Sequence, residues 1–318
     1  MRPSDGVAAV LPIPLATTET VEAGYGWQHI AYLLPGALPT IVDPGPASAS
    51  SALIAALSEQ GFDGGDIRQV LLTSPASELA AGAAAFPHAV VRCGPRGVTD
   101  RLLCTHRGRA FALGDDVARH TDVGEDAVAR WQRWKAMHTP ADTLPFASRQ
   151  LDDGAMVLAG DLTLVASHRP AFSDAGLVFA TLDGSALFAG EFGVLDEDLP
   201  VGDWQAFAES LAQVTQGGPP ERLYPSRGRI EASGHVALRS MALSANNLVT
   251  NLPLALARPA TLVELFERDL GYWPDAVAES ALRLTRLLAA LEELARAGVV
   301  HRQPSASLLQ TRYAMVPA

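Results

Sequence analysis

Short apolar runs separated by turn residues fill the first 230 residues of this chain, and longer stretches with helical apolar spacing fill the rest. Residues 7–16 are apolar but carry Pro12 and Pro14, which predicts a strand at a sheet edge. Residues 29–34 (HIAYLL) and 40–43 (TIVD) flank Pro35-Gly36 and predict a hairpin-like pair, stopped by Asp43-Pro44-Gly45-Pro46. Leu53, Ile54 and Leu57 have helical spacing, closed by Gly61. A buried-type strand is expected over 67–74, a small-residue helix over 77–85 and another strand over 89–94. This β–α–β–α–β order points to a layered α/β arrangement. The pattern blurs from 95 to 148, except that Trp131, Trp134 and Met137 mark an amphipathic helix with packing residues. Strands resume at 154–160, 162–167, 176–182 and 186–191, the last two joined by an Asp183-Gly184 turn, and a further short strand ends in a loop at 222–228.

From about residue 232 the chain reads helix, helix, helix. Thr261-Leu-Val-Glu264 has capping-box spacing. A long helix opens at Pro274-Asp275, runs through Val277, Leu282, Leu287, Leu288, Leu291 and Leu294, and closes at Gly298, with residues 299–302 (VVHR) as a short strand. The order resembles a small winged-helix-like appendage and divides the chain into residues 1–231 and 232–318. Residues 260–318 hold six Arg against seven acids, with no basic face, so packing or dimerisation is expected of the tail rather than DNA binding.

Composition narrows the function classes. At 48% hydrophobic and 19% charged, the chain is expected to be ordered and globular. A net charge of −11 disfavours nucleic acid and anionic membranes as partners. No apolar run approaches a membrane span, and the N-terminus lacks a signal-peptide pattern, so a cytoplasmic location is expected. Cys93 and Cys104 make neither a disulfide framework nor metal-ligand spacing.

Five segments in order resemble the metallo-β-lactamase superfamily over roughly residues 7–230. AYLLPGALPTIVDPGP is similar to its opening hairpin and Asp-x-Gly turn. DIRQVLLTSPASELAAGAAAF is similar to the strand and helix around its main metal motif. LDDGAMVLAGDLTLVASHRPAF resembles its later hairpin, ALFAGE the strand that supplies a bridging carboxylate, and RLYPSRG the strand ending in Pro-Gly-His-Gly. The resemblance implies a four-layered αβ/βα sandwich with a site at the edge between two sheets. The helical tail is similar to the hydroxyacylglutathione-hydrolase-like branch.

The metal-binding residues of that family are missing here. Where its motif reads Thr-His-x-His-x-Asp-His, this chain reads Thr73-Ser74-Pro75-Ala76-Ser77-Glu78-Leu79. The next histidine is replaced by Ala171, the bridging aspartate by Glu191 and the last histidine by Arg227. Zinc needs imidazole, thiolate or carboxylate donors, and two glutamates alone form a weak, unselective site. Bound metals lower the pKa of water from ~15.7 towards ~7, which at ~1.36 kcal/mol per pH unit is roughly 12 kcal/mol unavailable by that route. No metal and no cofactor are therefore expected.

The candidate residues are those the resemblance places around the former metal centre. Glu78, Glu191 and Arg227 form either an ion-pair cluster that restores neutrality or a binding and catalytic trio. Ser74 is a nucleophile candidate only with a base beside it. Asp43 is expected to brace the turn. His29 and Tyr224 are candidates for the pocket mouth and wall, with Trp27 and Trp204, and His235 for a ligand contact in a following loop. His168 is three residues from the lost histidine position, and on a strand that spacing points it to the other face. Three readings stay open: a metal-independent small-molecule-binding or hydrolase-like protein, a non-catalytic scaffold or protein-interaction module, and a hydrolase of a small ester or thioester with an atypical metal site. The expected partners are a small-molecule ligand and a second copy of the chain as a homodimer.

Overall fold

The computed structural model describes residues 10–15, 29–94, 106–120, 123–137, 149–170, 176–193, 201–216, 218–270 and 277–317. Trp27, Cys104 and Ala171 lie outside them, as does the side chain of Met137.

Six strands form the first sheet: β1 (Leu11–Leu15), β2 (His29–Leu34), β3 (Thr40–Val42), β4 (Gln69–Leu71), β5 (Val90–Cys93) and β6 (Arg149–Gln150), in that spatial order. β1 is at the edge, as its prolines require, and pairs antiparallel with β2, which pairs antiparallel with β3. β3 through β6 are parallel, with helix α1 (Ser50–Glu59) and the short α2 (Ser77–Ala80) in the crossovers. Two helices, α3 (His106–His120) and α4 (Glu125–Met137), then precede β6. The second sheet holds β7 (Met156–Ala159), β8 (Leu162–His168), β9 (Leu177–Thr181) and β10 (Ala186–Gly190), all antiparallel neighbours. After α5 (Trp204–Gln216), β11 (Arg222–Pro225) adds parallel to β10.

Strand periodicity explains the layering. On β2, Ile30, Tyr32 and Leu34 pack against Leu164, Phe179 and Phe188 of the second sheet. Ala31 and Leu33 point the other way, into a cluster with Leu53 and Leu57 of α1. A strand buried on both faces reads as an unbroken apolar run, which is how residues 29–34 appear in the sequence. Val178, Leu187 and Leu223 on the outer face of the second sheet join a third cluster with α3, α4, α5 and the tail. The layers are therefore helix, sheet, sheet, helix.

The tail comprises α6 (Gly234–Ala255), β12 (Ala260–Thr261), α7 (Leu262–Leu270), α8 (Val277–Arg296), β13 (Val300–Gln303) and β14 (Arg312–Met315). The last three strands make a small antiparallel sheet, β12-β14-β13. The capping box is present: the Thr261 amide donates to the Glu264 carboxylate (2.8 Å) and the Glu264 amide donates to Thr261 Oγ1 (3.2 Å). α8 is buried nearly all round, and its residues share one cluster with Leu113 of α3 and with Trp131 and Trp134 of α4. The two indoles stack at 5.2 Å with the Phe111 ring edge-on to both, which makes Trp131 and Trp134 packing residues. α3, α5, β6, β12 and β14 were not expected from the sequence. α3 has weak amphipathic contrast because Gly108, Gly114 and five charged residues interrupt its apolar positions.

Candidate functional site

The edge where the two sheets meet is built on Thr73, just after β4. Its amide donates to Asp43 Oδ1 (2.8 Å) and its hydroxyl donates to Asp43 Oδ2 (2.6 Å), while its carbonyl accepts from the Leu177 amide at the start of β9 (2.7 Å). Asp43 has a φ of 49°, a left-handed conformation that Asp tolerates better than most residues. Gly190 closes the other side, also at positive φ; a Cβ there would stand 2.2 Å from Thr73 Oγ1. The Ile30 amide donates to the Ser226 carbonyl (2.8 Å) and the Ser226 amide to the Gly190 carbonyl (3.0 Å), so β2, β10 and the loop after β11 are fixed together. The Tyr32 hydroxyl donates to the Pro225 carbonyl in a short hydrogen bond.

Four of the expected residues converge here with Arg227. Asp43 is 1% exposed and its carboxyl is pushed up to about 7, first by burial and also by the nearby Glu191 and Glu78, against the lowering effect of the Thr73 hydrogen bonds. Glu191 is 7% exposed, and Arg227 Nη2 stands 3.8 Å from its Oε1. A bidentate Arg227–Glu191 contact, which the planar fork allows, is not what forms; the pair is a longer charge contact. The carboxylate oxygens of Glu78 are shut off from solvent, as is Nε of Arg227. His29 Nε2 donates to the Asp43 carbonyl (2.9 Å), and His29 sits opposite Arg227 in a single antiparallel bridge. Its imidazole is lowered to about 4, chiefly by burial, with Arg227 adding to the effect and the Asp43 hydrogen bond opposing it.

The other expected residues sit elsewhere or do other work. Ser74 is 2% exposed and its hydroxyl accepts from the Ala76 amide (3.3 Å), a turn-closing bond. Tyr224 stacks on Phe188 (5.0 Å) and meets Tyr32 edge-on (5.3 Å) inside the inter-sheet core. His168 ends β8, its amide donating to Asp153 Oδ1 (2.7 Å). His235 lies in the first turn of α6, beside Trp204 on a separate groove. Thr73, Tyr32 and Ser226 were not singled out from the sequence. Only the position of Thr73 at the head of the family motif pointed to it.

The donors present do not fit the metal pair that the fold implies. Ala76 and Leu79, 0% and 2% exposed, place side chains without donor atoms where ligands are required. Arg227 brings a fixed cation to the carboxylate that would have to bridge two dications, and like charge opposes their entry. Among the described residues, no group of three or more His, Cys, Asp or Glu side chains is arranged to hold a metal ion.

No protein-family model and no curated protein matches the chain. Solved structures do. A metallo-beta-lactamase family protein from Thermus thermophilus is 21% identical, covering 97% of this chain and 98% of that one, with a TM-score of 0.69. A beta-lactamase domain protein from Burkholderia ambifaria is 17% identical, covering 96% and 92%, with a TM-score of 0.73. Both similarities run through the tail as well as the two sheets. Together with the helix–sheet–sheet–helix layering, they establish that this chain has the metallo-β-lactamase fold.

Proposed function

We propose that this protein is a metal-independent relative of the metallo-β-lactamase superfamily, near the hydroxyacylglutathione-hydrolase-like branch, whose former metal edge is now a buried charge cluster. Its work is binding rather than metal-assisted hydrolysis. The observation that carries this reading is the Arg227–Glu191 pair beside Asp43, with Ala76 and Leu79 buried at ligand positions. The burial of Asp43 and Ser74 also argues against these two acting on a substrate. A carboxyl raised to about 7 suits a general base. Asp43, however, is buried with both oxygens held by Thr73, so it has no free path to a reacting group. Ser74 is likewise enclosed, with its hydroxyl bonded to a turn amide.

We divide the chain at 231/232 and read the tail as winged-helix-like, packing on the α3–α4 layer. A cytoplasmic location fits the absence, among the described residues, of any helix long and apolar enough to cross a membrane. Elemental analysis tests the central reading. Protein purified with added zinc, iron and manganese retains well below one equivalent of each, and chelator leaves its melting midpoint unchanged. A stoichiometric ion lost on Glu78→Gln or Glu191→Gln overturns it.

A further inference from the structure

A second concave surface lies away from the charge cluster, between α5 and α6. It is a groove of about 470 Å³, within the roughly 300–1,000 Å³ typical of small-molecule sites. Its floor is firm and apolar: Trp204, Phe207, Leu211 and Leu238 are each at most 8% exposed. Trp204, Phe207 and Leu211 recur at helical spacing along one face of α5.

The rim is polar and comes from α6. His235, Arg239 and Asn246 line the groove, and their spacing of four and then seven residues places them on one helix face. All three are exposed. Among the described residues, none of the three side chains engages another protein group by hydrogen bond or ion pair. The charge around them is one-sided. None of the lining residues is Asp or Glu. No acid occurs between Glu231 and Glu264, although the chain carries 35 acids and a net charge of −11. An uncommitted guanidinium above an apolar trough, in a stretch cleared of acids, is complementary to a carboxylate on an apolar body.

We propose that the α5–α6 groove binds an amphipathic carboxylate, a medium-chain or aryl-substituted acid. Its apolar body lies on Trp204, Phe207, Leu211 and Leu238, and its carboxylate is held by Arg239 with His235 and Asn246 beside it. The site is independent of the metal-free reading of the sheet edge, because it shares no residue with the Asp43 cluster.

Calorimetric titration with decanoate, and with decanol as its uncharged counterpart, tests the proposal on the full chain. Decanoate is expected to bind saturably at one equivalent and more tightly than decanol. Arg239→Gln, an exposed change that leaves the core intact, weakens decanoate at least tenfold, about 1.4 kcal/mol, and leaves decanol unaffected. Ala208→Trp fills the groove and removes both. The Arg227→Met, Glu191→Gln double variant, which removes both charges of the pair, keeps full decanoate binding, which separates failure here from failure of the reading above. The proposal is overturned if decanoate does not saturate the wild-type protein, or if its affinity is unchanged by both groove variants. It is equally overturned if sedimentation shows a dimer that Ala208→Trp disrupts and decanoate does not displace, since the groove then holds a second copy of the chain.

Discussion

The Arg227–Glu191 pair offers a direct measure of how the edge between the two sheets is held. At 3.8 Å and an effective dielectric of about 20, the attraction between the two charges is about 4 kcal/mol. Their side chains are 12% and 7% exposed, so desolvation opposes a sizeable part of that gain. Removing only the cation leaves Glu191 facing Glu78 and Asp43 without it. Arg227→Met is therefore expected to cost about 3–5 kcal/mol near neutral pH. Glu191→Gln alone takes this carboxylate away from the buried guanidinium and also destabilises. The double variant removes both charges and recovers at least about 2 kcal/mol relative to the sum of the single losses. Urea unfolding followed by the fluorescence of the buried Trp131 and Trp134 gives the four stabilities, provided the urea dependence stays constant across the set. A pair this enclosed is screened little, so the coupling survives about 0.5 M salt. A coupling below about 0.5 kcal/mol, or one that salt abolishes, refutes the view that this pair neutralises the edge.

The two buried titrating groups work against each other with pH. His29, lowered from 6.5 to about 4, contributes about 3 kcal/mol that is fully present above pH 6.5 and lost as pH falls towards 4. Asp43, raised from 3.8 to about 7, favours the fold most below pH 4, and about 4 kcal/mol is lost as pH rises through 7. Asp43→Asn should thus leave stability rising between pH 4 and 6.5, and His29→Gln should leave it falling between pH 4 and 7, both read by urea titration across pH. Slopes of the same sign in the two variants contradict the assignment. Gly190→Ala drives a Cβ into Thr73 at a positive φ and is expected to cost about 2–4 kcal/mol in the same assay; a loss under about 1 kcal/mol means the brace is not rigid. Thr261→Ala removes one half of the capping box and should cost about 1 kcal/mol, seen as a small fall in the melting midpoint.

Much of the layered architecture was legible because each strand of the sandwich wears its environment. The doubly buried β2 is a continuous apolar run, the edge strand β1 carries prolines, and Asp183-Gly184 stands in the turn before β10. The site was legible by position but not by contact. Substitution against the family motif named Glu78, Glu191, Arg227 and Asp43, and the fold brings them together. Tyr224, chosen as an aromatic wall, and His235, chosen for its place in a loop after Arg227, go instead to a core stack and a distant groove, which local pattern gave no way of assigning. The role of Thr73 depends on pairings 30 and about 100 residues away, to Asp43 and Leu177, and such pairings leave no local period to read. α3 was missed for a related reason. It is defined by packing on α8 from the far end of the chain rather than by its own stripe.

The geometry also shows how this edge is ordered by the chain's own hydrogen bonds. The backbone turns along it are held by bonds that need no ion: Thr73 to Asp43, Thr73 to Leu177, Ser226 to Gly190 and Ile30 to Ser226. The remaining difficulty is charge. Three carboxyl groups, Asp43, Glu78 and Glu191, lie close enough to act on one another, and Arg227 stands beside Glu191. Arg227 answers part of this excess. Asp43 answers another part, because a carboxyl at about 7 holds a proton for much of its population near neutrality. A proton and an arginine are a smaller counter-charge than a metal pair, and the buried Ala76 and Leu79 have no donor atoms with which to hold one. The raised pKa of Asp43 comes first from its burial and in smaller part from the two neighbouring carboxylates, so it should fall part of the way towards its ordinary value when Glu191 or Glu78 is made neutral, and most of the shift should remain.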